Sequence, residues 1–469
     1  MKVLLINPPV NNKKFGKFHS LMEPMPCIGL AYIAAVLERS GHTVKILDNY
    51  VCGYSFENIS HLIDEFRPDI TGFSVLTPSV NYCLDLASKI KKRYPPIKLI
   101  AGNVHPTLFP EEFLKPGYFD IVVRGEGENT MVEVTHLISN GGDLTDVKGI
   151  SFIHGSKIYH NKDRRIIDDL DALPVPAWHF FPYKKYGLFP FADIKKPLLT
   201  ILATRGCPYS CTYCSLGYLD KTYRKRSPEN VADEMEYLIS RFGIKQLGFV
   251  DPIFPLEHDY ALELCEEMIK RGINKKIVWT TETRIDILDE TIISRLRSAG
   301  CRRIIFGIET GSSKTLESVG KKVDAGKVRS TMRLLKTYGI ESIGLFMIGM
   351  PGENEELIRE TFDYACSIDV DFAKFAMTVP FPGSQLYDTL SKENKIRTDN
   401  WDDFTTFNPV PENVSYVPDG MTASQLIKLQ KRGTLKFYLR PKMILRQLFG
   451  IRTLTPSIIM KGIYCLLPF

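Results

Sequence analysis

Short apolar runs alternate with amphipathic segments along most of this chain, and the alternation occurs in two separate series. The first series has strand-like runs at residues 1–9, 43–48, 69–75, 98–101 and 121–123. The second has them at residues 198–203, 246–251, 277–281, 303–308, 342–348 and 372–377. Segments with helical apolar spacing lie between these runs, which is typical of βαβ units and parallel sheets. The sequence therefore predicts an α/β chain with a Rossmann-like doubly wound parallel sheet, then a partial (β/α)6 barrel, then a helical C-terminal region.

The loop after the first strand of the second series carries three cysteines. Residues 198–215 read LLTILATRGCPYSCTYCS, so Cys207, Cys211 and Cys214 follow a strand at spacings of four and three residues. Thiolates bind iron–sulfur clusters and soft metals, and a four-iron cluster usually takes four of them. Three thiols would leave one iron open to a ligand that is not protein. A structural zinc site, which needs four ligands, and a redox dithiol, which needs no third cysteine, are the weaker alternatives.

Residues 205–214, which read RGCPYSCTYC, resemble the cluster loop of the radical SAM superfamily. The resemblance implies a 4Fe–4S cluster on Cys207, Cys211 and Cys214, whose open iron chelates S-adenosylmethionine (SAM). One electron then cleaves SAM and releases a 5′-deoxyadenosyl radical. Tyr213 lies where the family packs an aromatic ring near the adenine.

Polar and glycine residues at the carboxyl ends of the later strands are further candidates, because barrel enzymes keep their chemistry at this edge. Glu309 could accept hydrogen bonds from ribose hydroxyls or an ammonium, and Arg284 could hold a carboxylate in a bidentate fork. Gly349 and Gly352 would let the backbone approach a ligand. Taken together, these positions resemble the SAM-cradling motifs of the family. The resemblance implies a SAM site composed of Tyr213, Glu282, Arg284, Glu309, Gly349 and Gly352.

The first series has its own ligand edge, since doubly wound sheets bind ligands beyond the strand carboxyl ends. No G-x-G-x-x-G motif follows the first strand, so a nicotinamide or flavin site is not expected. Several stretches resemble the cobalamin-binding domain that precedes the barrel in one large radical SAM subgroup, namely LINPP at 5–9, GLAYIA at 29–34, GHTV at 41–44, DITGFS at 69–74 and GEGE at 125–128. The resemblance implies a cobalamin site that includes Asn7, Pro8, Ser74, Thr77, Gly102, His105, Gly125, Glu126 and Gly127.

One departure from the cobalamin mutases concerns the histidine of this site. Their Asp-x-His-x-x-Gly signature is absent, because Asn103 stands two places before His105. His105 is therefore expected to contact a loop or the edge of the cofactor rather than cobalt. A Rossmann-like domain that has lost its cofactor is the alternative, since fold does not fix function.

The domains are expected at residues 1–146 (cobalamin-binding), 147–195 (a connector rich in Pro and aromatics), 196–395 (barrel) and 396–469 (basic and mainly helical). The formal net charge is +6, and residues 421–469 hold nine Lys and Arg with no Asp or Glu. Packing on the barrel is the favoured interpretation of such a segment, and contact with an anionic membrane surface or with RNA are the alternatives. We find no apolar run long enough to span a membrane, no secretory leader and no disulfide framework in the sequence, so a cytoplasmic protein is expected. A peripheral position at the inner face of the membrane is a second possibility.

The resemblance implies a cobalamin-dependent radical SAM enzyme that modifies an unactivated carbon, most commonly by methyl transfer. An anaerobic oxidative cyclase or a carbon–carbon coupling enzyme acting on a lipid or tetrapyrrole is the main alternative. A tRNA methylthiotransferase would need three more grouped cysteines in the first domain, where Cys27, Cys52 and Cys83 are scattered. A zinc-stapled module or an electron carrier would not explain the polar strand ends. The expected partners are a small, hydrophobic substrate and an electron donor such as flavodoxin or ferredoxin, and no nucleic acid.

Overall fold

The computed structural model describes residues 1–11, 14–16, 23–188, 192–216, 220–321 and 323–449, with side chains described as far as residue 446. Contacts between Cα atoms divide the chain into two compact units. Unit 1 comprises Met1–Asn12, Pro26–Lys185 and Asn400–Asp402. Unit 2 comprises Lys13–Met25, Tyr186–Asp399 and Asp403–Phe469.

Unit 1 is built on one sheet with helices on its faces. Its strands are β1 Lys2–Asn7, β2 Thr43–Asp48, β3 Ile70–Ser74, β4 Lys98–Gly102, β5 Ile121–Val123, β6 Ile150–His154 and β7 Lys157–His160. They lie in the order β2-β1-β3-β4-β5-β6-β7. The first five pair in parallel, and β6 and β7 add an antiparallel edge. The helices are α1 Ile28–Arg39, α2 Asn49–Cys52, α3 Phe56–Phe66, α4 Val80–Arg93, α5 Val104–Leu108, α6 Pro110–Leu114 and α7 Glu128–Ser139.

Local chemistry explains why these elements begin and end where they do. Strand β1 reads KVLLIN, and its four central residues are fully buried, as expected for a strand covered on both faces. Ser55 caps the N-terminus of helix α3. Its hydroxyl accepts a hydrogen bond from the Asn58 backbone N–H, and the Asn58 side chain accepts one from the Ser55 N–H. This capping box satisfies donors that the first helical turn leaves open. Arg67 ends the same helix in a left-handed conformation.

Unit 2 contains a six-stranded parallel sheet in chain order, with helices between successive strands. Its main strands are β8 Leu198–Ile201, β11 Gln246–Phe249, β12 Val278–Thr283, β13 Cys301–Glu309, β14 Glu341–Ile348 and β15 Phe372–Met377. Two short strands, β9 Thr204–Arg205 and β10 Arg224–Lys225, form a separate antiparallel ribbon. Within the described residues β8 and β15 are the two edges of the six-stranded sheet, so the barrel is open. The helices are α8 Pro228–Phe242, α9 His258–Lys270, α10 Ile273–Lys276, α11 Glu290–Ser298, α12 Ser313–Ser318, α13 Ala325–Thr337, α14 Glu355–Ser367, α15 Gln385–Lys392, α16 Ala423–Tyr438 and α17 Pro441–Phe449.

The predicted fold class is confirmed, because both parallel sheets and the helical C-terminal segment are present. The contact division groups residues 147–185 with the first sheet, which the hairpin of β6 and β7 extends. The predicted domain boundaries after residues 146, 195 and 395 stay predictions. The basic tail is described only to residue 449, so the part of the prediction that falls on residues 450–469 lies outside the described residues.

The first basic helix of the tail packs on the barrel, as the favoured interpretation of this segment predicts. The Tyr438 hydroxyl accepts a hydrogen bond from the Ala373 N–H and donates one to the Ala373 carbonyl, at 3.2 and 2.9 Å. The Gln430 amide donates to the Phe375 carbonyl at 2.8 Å. None of the helices in the described part of the chain is both long enough and apolar enough to cross a membrane.

Candidate active site

A short antiparallel ribbon pairs the two ends of the cysteine loop. Strands β9 and β10 pair Arg205 with Arg224 just outside the loop, and Gly206 follows with a φ of +81°. A Cβ atom at Gly206 would lie 2.1 Å from the Thr222 carbonyl oxygen, so only glycine fits there. Asp251, at the end of the next barrel strand, accepts hydrogen bonds from the Ala203 and Thr204 backbone N–H groups. The loop is therefore anchored at its root to the carboxyl edge of the sheet.

The three loop cysteines are thiols that form no disulfide with another described residue, and all three are half-buried. Burial raises the pKa of the Cys207 thiol, while Arg284 and Lys321 lower it. A thiol loses its proton when it binds a metal, and cations nearby favour the thiolate. In the described residues no three His, Cys, Asp or Glu side chains, these cysteines included, are arranged to hold a single metal ion. Three soft donors on one anchored loop beside two cations have the chemistry that an iron–sulfur cluster requires.

A buried network joins the cysteine loop to the end of strand β13. The Tyr213 hydroxyl donates to Glu309 Oε1 at 2.8 Å, and Lys321 Nζ donates to the same oxygen at 2.8 Å. Lys321 also donates to the Gly307 carbonyl at 2.6 Å. Burial, with Glu309 beside it, raises the pKa of Tyr213, so the phenol stays a neutral donor. Sequence reasoning selected Tyr213 and Glu309 but missed Lys321, which has no strand-end position or motif to mark it.

Arg284 lies beside the loop but its guanidinium already holds a carboxylate. Its Nε and Nη2 donate to the two oxygens of Asp286 at 3.0 and 2.8 Å. The same guanidinium stacks on the ring of Tyr209, 4.1 Å from the ring centroid. Arg284 was predicted to hold a ligand's carboxylate, and the structure adds Asp286 as the partner that orients it.

The turn after strand β14 is closed by a carboxylate that sequence reasoning did not include in the site. Gly349 and Gly352 both have positive φ values, +79° and +80°. Glu353 Oε2 accepts hydrogen bonds from the Gly349 and Met350 N–H groups at 2.8 and 2.9 Å. Burial raises the pKa of Glu353 to about 7, and these hydrogen bonds oppose the rise. The turn is thus held in the shape that its glycines permit.

Glu282 faces the inside of the barrel from strand β12. It lines a cavity of about 240 Å³ together with residues from the neighbouring strands. Although the Glu282 side chain remains exposed, desolvation by its surroundings, and then the charge of Glu309, raise its pKa to about 7. The predicted SAM residues therefore fall at the loop, at the strand ends and inside the barrel of unit 2.

The predicted cobalamin residues follow the carboxyl ends of β1, β3, β4 and β5, which are parallel and so share one edge of the sheet. Ser74 Oγ accepts a hydrogen bond from the Asn103 amide at 2.9 Å, and Gly125 N–H donates to the Thr107 hydroxyl at 3.1 Å. Asn7 hydrogen-bonds Asp48 at 2.9 Å. The other members of the set at this edge are Pro8, which is buried, Gly102, which ends β4, and Glu126 and Gly127, which precede α7.

His105 differs from the other members of this set, because protein side chains enclose it completely. Its side chain is fully buried, with Nδ1 3.1 Å from the Thr77 hydroxyl and Nε2 3.2 Å from Glu112 Oε2. Trp401, in a C-terminal stretch that belongs to unit 1, packs edge-on against the imidazole and donates to Glu112 Oε1 at 2.7 Å. Both ring nitrogens therefore have protein partners. The residues described at this edge offer polar groups and glycine backbone, which would suit a corrinoid, and the imidazole of His105 is already held by protein side chains.

The remaining described cysteines lie apart from the loop. Cys83, Cys265 and Cys301 are buried in the cores, where burial raises the pKa of each thiol. Cys27, Cys52 and Cys366 are partly buried. Cys465 lies outside the described residues.

Two family models match the chain, one in each series of strands. The B12 binding domain model matches residues 19–135, and the Radical SAM superfamily model matches residues 201–365. The first matched segment contains the predicted cobalamin residues from Ser74 to Gly127, while Asn7 and Pro8 precede it, and the second contains the cysteine loop.

Curated relatives match over almost the full length. An uncharacterized methyltransferase of Pyrococcus horikoshii is 31% identical over 451 residues, which cover 96% of this chain and 95% of the relative. An anaerobic magnesium-protoporphyrin IX monomethyl ester cyclase of Rubrivivax gelatinosus is 27% identical and covers 94% of this chain and 78% of its own.

Among solved structures, the radical SAM methyltransferase TsrM of Kitasatospora setae, with cobalamin and an iron–sulfur cluster bound, has a TM-score of 0.72. It is 19% identical, and the match covers 92% of this chain and 90% of that one, so it is informative about the fold. The predicted family and enzyme class are confirmed, together with the three cofactors, a 4Fe–4S cluster, SAM and cobalamin. The chain belongs to the radical SAM superfamily, in the group that carries a B12-binding domain before the radical SAM domain.

Proposed function

We propose that this enzyme transfers a methyl group from SAM, by way of cobalamin, to an unactivated carbon of a small-molecule substrate. The observation that carries the proposal is the anchored loop with three thiols, hydrogen-bonded through Tyr213 to Glu309 in unit 2, in a chain whose unit 1 matches the B12-binding family. The names of several relatives support methylation as the reaction. They include a methyltransferase of Pyrococcus horikoshii, a cytidylyl-2-hydroxyethylphosphonate methyltransferase and a hopanoid C-3 methylase.

The residues that would hold the cofactors are part of the proposal. Cys207, Cys211 and Cys214 would hold the cluster, and the SAM and cobalamin residues are those predicted from the sequence, with Lys321 added to the SAM set. When bound, the cluster with SAM supplies a carbon-centred radical, and cobalamin supplies the methyl group. Lys321 and Tyr213 fix the orientation of Glu309, and Glu353 fixes the backbone of the glycine turn. Through these contacts the side chains would orient the bound ligand.

The test is anaerobic reconstitution of the full chain with iron, sulfide and hydroxocobalamin, followed by turnover with SAM and dithionite. We expect about four irons per chain, bound corrinoid and 5′-deoxyadenosine. Cys211→Ala should lose iron and 5′-deoxyadenosine and keep the corrinoid. Cys366→Ala, a partly buried cysteine outside the loop, is the matched control and should keep all three. Zinc in place of iron, or iron retained by Cys211→Ala, would contradict the proposal.

Oxidative cyclisation is the second candidate, because three anaerobic magnesium-protoporphyrin IX monomethyl ester cyclases are 26–27% identical over most of this chain. SAM with a deuterated methyl group separates the two reactions. A methyltransferase puts the label into the product, whereas a cyclase forms 5′-deoxyadenosine and leaves the product unlabelled.

Two partners also remain proposals. The electron donor is a flavodoxin or ferredoxin. Peripheral contact with an anionic membrane would use the exposed Leu439, Ile444 and Leu445, which are interspersed with basic residues. Some of those basic residues already pair with acids, as Lys442 does with Asp369 at 2.7 Å, so the contact would be weak. Sedimentation with vesicles containing phosphatidylserine tests it, and binding that is unchanged in Leu445→Asp would contradict it.

A further inference from the structure

A basic cavity lies at the amino-terminal edge of the barrel strands, where sequence reasoning selected no residue. Its wall includes Val278 at the start of β12, Arg302 near the start of β13 and Glu341 at the start of β14. The volume is about 420 Å³, which is within the range of small-molecule sites. Arg302 precedes Glu309 by seven residues on one strand, roughly 20 Å, so the cavity is separate from the SAM residues predicted at the opposite edge.

The charged side chains of this wall are almost all cations. They are Lys195, Lys275, Lys276, Arg297 and Arg302, with Glu341 as the one acid. Glu341 is already engaged, because its Oε2 accepts a hydrogen bond from Arg303 Nε at 2.8 Å. None of the five cations forms an ion pair with any residue that the structure describes. The wall therefore has an excess of positive charge, which attracts an anion into the cavity from several sides.

Two arginines form the partly buried part of the wall, Arg297 and Arg302. Arg302 Nη1 is fixed by the backbone, since it donates to the Arg297 and Cys301 carbonyls at 3.1 and 2.9 Å. Arg297 Nη1 is buried and has no hydrogen-bond partner among the described residues. Burial, and then the charge of Arg297, lower the pKa of the Arg302 guanidinium, so two like charges lie close together. A bound anion would relieve this repulsion and, after a small rotation of the Arg297 guanidinium, supply the missing acceptor.

The same wall contains a hydrogen-bond acceptor without a partner. The Asn274 side chain donates to the Ser298 carbonyl at 2.9 Å through Nδ2, whereas its Oδ1 is buried and accepts from no described residue. Such an oxygen suits a ligand that has a hydroxyl or N–H donor next to its anionic group. Guanidinium groups match the oxygens of phosphate in geometry and charge. The wall therefore has the chemistry to hold a phosphate and a polar group attached to it.

We propose that this cavity binds the phosphate group of a small molecule, at a site separate from the predicted SAM and cobalamin residues. Arg297 and Arg302 bind the phosphate oxygens, the three exposed lysines attract the anion, and Asn274 accepts from a donor beside the phosphate. Phosphate is preferred to a carboxylate because it can carry two negative charges, and the wall presents five cations. The inference goes beyond the proposed function and does not depend on it.

The test is isothermal titration calorimetry of the reconstituted full-length protein at fixed ionic strength, with inorganic phosphate and ribose 5-phosphate as probes. Both should bind, and Arg297→Gln should weaken the binding of each at least about tenfold. Arg295→Gln is the matched control. Arg295 is an exposed residue of the same helix α11 that pairs with Glu266 and does not line the cavity, so both affinities should stay unchanged.

The two probes distinguish the two sources of the ligand. Tighter binding of ribose 5-phosphate assigns a phosphate ester, and this is the result that the Asn274 acceptor predicts. Equal or tighter binding of inorganic phosphate assigns free phosphate. No saturable binding of either probe would overturn the inference, and so would equal affinities in Arg297→Gln and Arg295→Gln, because the phosphate would then bind elsewhere.

Thermal unfolding checks that the variants fold. At saturating phosphate the unfolding temperature should rise in the native protein and in Arg295→Gln, and it should rise less in Arg297→Gln. Lys276→Gln, at an exposed residue of the wall, is the second variant and should weaken binding about threefold. If Arg297→Gln does not fold, an unchanged affinity in Lys276→Gln overturns the inference. None of these measurements uses SAM turnover, so their failure is distinguishable from failure of the proposed function.

Discussion

The buried network of Tyr213, Glu309 and Lys321 makes a quantitative prediction. In Lys321→Met the carboxylate of Glu309 loses its cation, while both side chains are less than a tenth exposed in the native protein. Removing one partner of a buried ion pair leaves an uncompensated charge, which costs about 3–5 kcal/mol. We expect a loss of that size in the free energy of unfolding of unit 2, measured by anaerobic urea denaturation followed by circular dichroism.

Two further variants make this test specific to the network. Lys428→Met removes an exposed lysine from helix α16 and should change the free energy of unfolding by less than about 0.5 kcal/mol. The double variant Lys321→Met, Glu309→Gln should lose less than the sum of the two single losses, by at least about 1 kcal/mol, because no buried charge is left behind. A Lys321→Met loss no larger than that of Lys428→Met, or strict additivity, would refute the argument.

Three other predictions follow from single contacts. Gly206→Ala should abolish cluster assembly, because its Cβ would collide with the Thr222 carbonyl. The control is Gly41→Ala, which has the same φ of +81° but open space around it and should cost only about 1–3 kcal/mol of backbone strain. Iron content and thermal unfolding are measured for both variants. The pKa of the Glu353 carboxyl is raised to about 7, so its contribution to the free energy of unfolding is complete below pH about 4 and is lost as the pH rises through 7. Glu353→Gln should reduce this decline. If the pH profile of urea unfolding is the same in the variant, the prediction is wrong. The electron paramagnetic resonance spectrum of the cob(II)alamin form should be the same with ¹⁵N-labelled and unlabelled histidine, and His105→Gln should leave it unchanged, because both ring nitrogens of His105 have protein partners.

The fold was largely predictable because burial and periodicity are local signals. The predicted strands at 43–48, 121–123 and 372–377 have the same bounds in the structure. The ribbon of β9 and β10 was missed because each of its strands has only two residues, which is too short to show a period. Helix α4 begins at Val80, directly after a short 3-10 turn that contains Pro78.

The site was predictable only where a motif marked it. The cysteine loop and Glu309 stand in recognisable patterns, but Lys321 reaches Glu309 from a position 12 residues further along the chain. The partners of Arg284 and His105 are side chains that no sequence pattern links to them, namely Asp286 and Glu112.

The most direct test of the central claim follows the methyl group. The reconstituted enzyme, reduced and supplied with SAM carrying a deuterated methyl group, is quenched anaerobically, and the protein-bound corrinoid is analysed by mass spectrometry. We expect labelled methylcobalamin in the wild type, together with 5′-deoxyadenosine that is absent from Cys211→Ala. A protein that forms 5′-deoxyadenosine but retains no corrinoid, or whose corrinoid never acquires the label, would contradict methyl transfer through cobalamin.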